Sequence, residues 1–111
     1  MTWTIRYYSD AVQRGVLSLP KGILADYLRL ADLLTEFGVD LRMPHSRAMG
    51  GGLFELRPRS REGIARVFYC MQIGRTIVVL HSFIKKTGAT PRREMDTALK
   101  RMKEMQRAYP R

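Results

Sequence analysis

The spacing of apolar residues changes character several times along the chain. Trp3-Thr4-Ile5-Arg6-Tyr7-Tyr8 is rich in aromatic and β-branched side chains and predicts a short first strand. Ser9 and Asp10 both suit the N-cap of a helix from Ala11 to Leu17, and Pro20 suits the first turn of a second helix. From 21 to 37, Ile23, Leu24, Tyr27, Leu28, Leu30, Ala31, Leu34 and Phe37 recur at helical spacing, with Gly38 as a stop. These segments predict a helical hairpin or one bent helix. Between Val39 and Gly52 the periodicity dissolves into Pro44, Ser46 and Gly50-Gly51-Gly52, which predicts a loop.

A period of two follows. Phe54 and Leu56 fall on one face of a strand, Glu55 and Arg57 on the other. A polar turn from Pro58 to Gly63 leads into a strand from Ile64 to Gln72, and Gly74-Arg75 turns the chain into a third strand over Thr76–Ile84. The last helix is expected from Pro91 to Tyr109, its apolar stripe formed by Met95, Ala98, Leu99, Met102 and Met105. The order predicts one α+β domain over residues 1–111: a short N-terminal strand, a two-helix hairpin, an antiparallel meander sheet and a C-terminal helix. All helices are expected on one face of that sheet.

Length and composition are consistent with this. A chain of 111 residues with 45% apolar content can close one hydrophobic core. No apolar run is long enough to cross a bilayer and the N-terminus lacks a signal-peptide core, so a soluble, cytoplasmic protein with no membrane partner is expected. A lone Cys70 inside an apolar segment is expected to be a small buried hydrophobe.

Charge sharpens the picture. Residues 1–41 carry four basic and five acidic groups, whereas residues 42–111 carry sixteen basic against five acidic. A positive charge confined to the second part of the domain points to a polyanionic partner, nucleic acid first. Its strongest focus is the apolar run Ile77-Val78-Val79-Leu80, which ends at Lys85-Lys86-Thr87 and delivers two adjacent ammonium groups to a loop. The alternative is a well-solvated basic face with no specific partner.

Proton-transfer groups are fewer. Histidine suits acid–base work near neutral pH, but His81 runs in phase with Ile77, Val79 and Phe83, which favours a packed, hydrogen-bonded histidine. His45, in the loop beside Pro44 and Arg47, is expected to be exposed and could meet a substrate. There is no Ser-His-Asp arrangement, no metal-ligand spacing and no Walker-type phosphate loop, so neither metal nor cofactor is expected. The methionine stripe reads as core or partner packing, and a groove along exposed Met and Leu of the terminal helices could receive a partner segment.

Three blocks in order carry a family resemblance: Gly52-Leu53-Phe54-Glu55-Leu56-Arg57, then Ala65-Arg66-Val67-Phe68-Tyr69, then Leu80-His81-Ser82-Phe83-Ile84-Lys85-Lys86-Thr87 with Pro91 and Ala98-Leu99-Lys100-Arg101-Met102. Over residues 3–107 the chain resembles the RelE/ParE toxin superfamily, and within it the HigB-like, phage-related branch. The resemblance implies a RelE-like fold and the toxin of a type II toxin–antitoxin pair. It implies a metal-independent endoribonuclease (an mRNA interferase) that cuts messenger RNA on the ribosome and inhibits translation. A cognate antitoxin of helix-turn-helix type is the implied partner. ParE-type members instead inhibit DNA gyrase, and an inactive nucleic-acid-binding relative is a third reading.

Metal-free RNA cleavage must orient the 2′-hydroxyl, stabilise charge on phosphorus and move two protons. Guanidinium suits the charge because its forked donors match phosphate oxygens. The resemblance assigns catalytic roles to Arg66 and the Lys85-Lys86 pair, with Arg57 on the adjacent strand to hold RNA or orient the others. Arg47, Arg59, Arg61, Arg92 and Arg93 would bind RNA, and His45 and His81 are the proton-transfer candidates. Arg57 could instead merely pair with Glu55, and Arg66 could be a solvated strand residue. Lysines that some relatives carry on the first meander strand are here Leu53 and Glu55, and an expected aromatic residue early in the last helix corresponds to Met95.

Overall fold

The computed structural model describes residues 2–86 and 88–108. Its elements run β1 (Thr4–Tyr7), α1 (Asp10–Leu17), α2 (Lys21–Phe37), a 3-10 turn (Gly38–Asp40), β2 (Ser46–Gly50), β3 (Leu53–Leu56), β4 (Arg59–Ser60), β5 (Gly63–Gln72), β6 (Thr76–Lys85) and α3 (Arg92–Ala108). Thr87, which closes the basic run after the last strand, and Tyr109, the expected end of the last helix, lie outside the described residues. Of the two N-cap candidates, Ser9 serves: its Oγ accepts the Val12 backbone N–H.

Strand order is β1-β6-β5-β3-β2, with β4 pairing β5 beside this path. The expected meander of β3, β5 and β6 is present and antiparallel. Two features depart from expectation. β1 pairs parallel to β6, so the sheet is mixed: the α1–α2 hairpin carries the chain from β1 to the opposite edge strand β2, and β6 comes to lie beside β1 only at the end of the antiparallel run. The expected loop over 39–52 holds the edge strand β2, which pairs antiparallel with β3. Ser-Arg-Ala-Met-Gly has little strand propensity, and pairing with β3 overrides it.

The helices do not share one face. α1 and α2 pack Val12, Val16, Ile23, Tyr27, Leu30 and Leu34 against Leu56, Ala65, Val67, Tyr69, Ile77 and Val79. α3 packs Ala98 and Met102, with Met95, Leu99 and Met105, against Leu53, Phe68, Cys70, Val78 and Leu80 on the opposite face. The continuous apolar runs of β5 and β6 follow from this, since strands covered on both faces need not alternate. It also corrects the expected docking groove: the methionine stripe of α3 is spent on the sheet. Large apolar side chains left exposed are elsewhere, at Leu17, Leu28, Phe37, Val39, Met43 and Ile73 among others. Cys70 is buried, as expected.

One glycine is demanded by packing. Gly38 ends α2 at φ +53°, and a Cβ there would lie 2.1–2.8 Å from ring atoms of Trp3. Gly38→Ala is expected to cost at least about 2 kcal/mol, read as a lower urea midpoint at unchanged slope. A loss under about 0.5 kcal/mol, the range of ordinary surface changes, would contradict this packing.

Candidate functional site

Alternation on β3 sends Glu55 towards the α3 side of the sheet, between Phe54 and Leu56 that face α1 and α2. A carboxylate on that face meets two guanidiniums and has a third directly across the strand pair. Arg47 lies directly across from it on β2, Arg57 two residues on, and Arg66 on β5. Glu55 Oε1 accepts from Arg57 Nη1 at 3.2 Å and lies 3.3 Å from Arg66 Nε, while Thr90 Oγ1 donates to Oε2 at 3.3 Å. Arg66 Nη1 also donates to the Ala65 carbonyl at 3.0 Å.

Burial makes this cluster unlike a surface ion pair. Glu55 is 1% exposed and Arg66 4% exposed, so both would cost several kcal/mol unpaired. Burial holds the Arg66 guanidinium below its ordinary pKa, with Arg57 and Arg47 acting the same way and Glu55 opposing them. Three guanidiniums around one carboxylate leave surplus positive charge at the end of the sheet. The Arg57–Glu55 pair, the alternative to a functional Arg57, does form, though along one strand and around a buried carboxylate.

That surplus opens into a cavity of about 190 Å³ lined by Asp26, Arg29, Leu30, Met43, Pro44, His45, Arg57, Arg59, Ile64 and Arg66. His45 is half-buried there rather than exposed, in the turn before β2, with its carbonyl accepting the Arg57 backbone N–H at 3.0 Å. Arg47, Arg57, Arg59, Arg66 and His45 thus gather at one end of the sheet. Lys85 sits opposite Ile64 at the end of β6, in phase with Phe83 on the α3 side and diagonal to Arg66. Lys86 and Arg61 are exposed in the adjoining turns, and Arg92 and Arg93 are exposed on the first turn of α3, Arg92 lying 4.0 Å from Asp96.

His81 is brought elsewhere. A bulge in β6 shifts the register between Phe68–His81 and Tyr69–Val79, so His81 faces α3 with Phe83 and is out of phase with Ile77 and Val79. Its Nε2 lies 3.0 Å from Glu94 Oε1 and its Nδ1 3.4 Å from Arg101 Nη1, which donates to the Leu80 carbonyl at 2.8 Å. Both ring nitrogens of His81 are therefore engaged by α3. His45, not His81, shares the arginine cavity.

Glu55, Thr90 and Arg29 are the site residues that sequence reasoning missed. Glu55 sits on what alternation marks as the polar face, and only the crossing of α3 makes that face an interior. Among the described residues, no cluster of three His, Cys, Asp or Glu side chains could hold a metal ion. No helix among them is long and apolar enough to cross a membrane.

A family described as "Phage derived protein Gp49-like (DUF891)" matches residues 15–103. Among solved structures, a chain of the archaeal RelE–RelB complex from Pyrococcus horikoshii OT3 superposes with a TM-score of 0.54 at 25% identity, covering 76% of this chain and 96% of that one. The fold is RelE-like. No curated protein sequence matches the chain.

Proposed function

The chain belongs to the Gp49-like phage-derived family, a RelE-like toxin family, and from that premise we propose that it is the toxin of a type II toxin–antitoxin pair. In this reading it is a metal-independent endoribonuclease of the HigB-like branch, works in the cytoplasm, cleaves messenger RNA on the ribosome and is neutralised by a helix-turn-helix antitoxin. The observation that carries the reading is the buried Arg57–Glu55–Arg66 cluster opening into a cavity shared with His45.

The chemistry needs little beyond that set. The ribose 2′-oxygen attacks the adjacent phosphorus, the 2′-O–P bond forms and the P–O5′ bond breaks. One proton leaves the 2′-hydroxyl and one reaches the departing 5′-oxygen. Arg66, held rigid by Glu55, meets the charge that grows on the phosphate oxygens, and rigidity matters because no reorganisation is then needed during the reaction. Lys85 or Lys86 shares that charge from the end of β6, and Arg57 orients the strand. His45 is the proton-transfer residue placed beside the pair. Arg47, Arg59, Arg61, Arg92 and Arg93 add phosphate contacts that need charge more than shape.

Expression of the chain without an antitoxin, with mapping of transcript ends, tests this reading. The expected result is new internal ends within messages and growth arrest. Intact transcripts with arrested replication would assign the protein to gyrase inhibition instead.

A further inference from the structure

The cavity has a wall on α2 that the proposed reaction leaves unused, next to Arg59. There Asp26 of α2 binds Arg29, its Oδ1 lying 2.9 Å from both Nε and Nη2, while its Oδ2 accepts the Arg59 backbone N–H at 2.8 Å. One carboxylate thereby fixes a helix guanidinium and the start of β4 at the rim of the cavity. Four guanidiniums and one imidazole line it against that single acid. At about 190 Å³ it is smaller than the ~300–1,000 Å³ of pockets for drug-sized ligands. Its size and its guanidinium lining suit a phosphate group with a few waters.

Resting on the ribonuclease reading, we propose that this cavity is a second phosphate subsite, in which Arg29 and Arg59 hold the phosphodiester next to the scissile one. Arg57 and Arg66 line the cavity and also belong to the cluster on the sheet face, so one RNA strand can pass between the two positions. Lys85 and Arg66 then take the scissile phosphate, and Asp26 presets Arg29 without neutralising the site. Arg29 is more than half exposed, so its truncation leaves the fold intact.

The test is fluorescence anisotropy with a labelled, uncleavable 2′-O-methyl RNA tetranucleotide over a salt series. Arg29→Ala and Arg59→Ala are each expected to weaken binding roughly tenfold at low salt and to flatten the log–log salt slope by about 0.7, the loss of one single-strand phosphate contact. Arg14→Ala, an exposed arginine on α1 away from the cavity, should leave both unchanged. Unaltered binding by Arg29→Ala and Arg59→Ala, or an equal loss in Arg14→Ala, overturns the subsite while leaving the ribonuclease reading intact. If millimolar inorganic phosphate at constant ionic strength binds the protein yet leaves wild-type RNA affinity unchanged, the cavity is a free-phosphate site and the subsite assignment fails. Absence of RNA binding by the unmodified protein overturns both.

Discussion

Arg66→Ala is expected to lower the rate of RNA cleavage by about 10³-fold, some 4 kcal/mol of transition-state stabilisation, in a protein that stays folded. Arg66 is the member of the cluster that protein structure immobilises most completely, through Glu55 and the Ala65 carbonyl. In the proposed reaction its donors would meet charge that appears only as phosphorus gains its fifth bond, so the loss should fall on kcat with KM little changed. Folding survives because Glu55 keeps Arg57 and Thr90 as partners. Arg66→Lys retains the charge without the fork and should recover only part of the rate. Single-turnover cleavage together with circular dichroism measures both quantities. Near-normal cleavage by a folded Arg66→Ala variant would remove Arg66 from the reaction.

Glu55→Ala carries the largest expected cost in stability, about 3–5 kcal/mol. It strips the carboxylate from a guanidinium only 4% exposed and leaves Arg66 facing Arg57 and Arg47 alone. The cost arises from an unpaired buried charge, so removing both charges should relieve it. A Glu55→Leu and Arg66→Met double variant is expected to recover most of the stability while remaining inactive. Urea denaturation of the three proteins reads this directly. A Glu55→Ala variant as stable as the parent would mean that the cluster is solvated, and its rigidity could not then explain catalysis.

Much of the fold was legible because it rests on strong local signals. Ser9 capping α1, the apolar stripe of α2, and the Gly74-Arg75 turn between β5 and β6 are each set by neighbouring residues. What depends on long-range pairing was not. β2 exists only because β3 accepts it, and β1 is parallel to β6 because the last strand of the meander ends beside it. The site followed the same division. Arg57 and Arg66 could be read from their strands, but Glu55 reads as solvent-facing until α3 crosses above it. His81 was misphased by a single bulge at Leu80, which no alternation rule reveals. Arg29 reads as the polar side of an amphipathic helix, and only the Asp26 contacts place it at the cavity.

The ribonuclease account stands most directly on the chemistry of the ends it makes. Purified protein added to translating ribosomes, followed by analysis of the RNA termini, should give upstream fragments ending in 2′,3′-cyclic phosphate and downstream fragments beginning with 5′-hydroxyl. The Arg66→Ala variant should yield neither. Fragments ending in 3′-hydroxyl and beginning with 5′-phosphate, or no fragments at all, would contradict an arginine-supported attack by the 2′-hydroxyl.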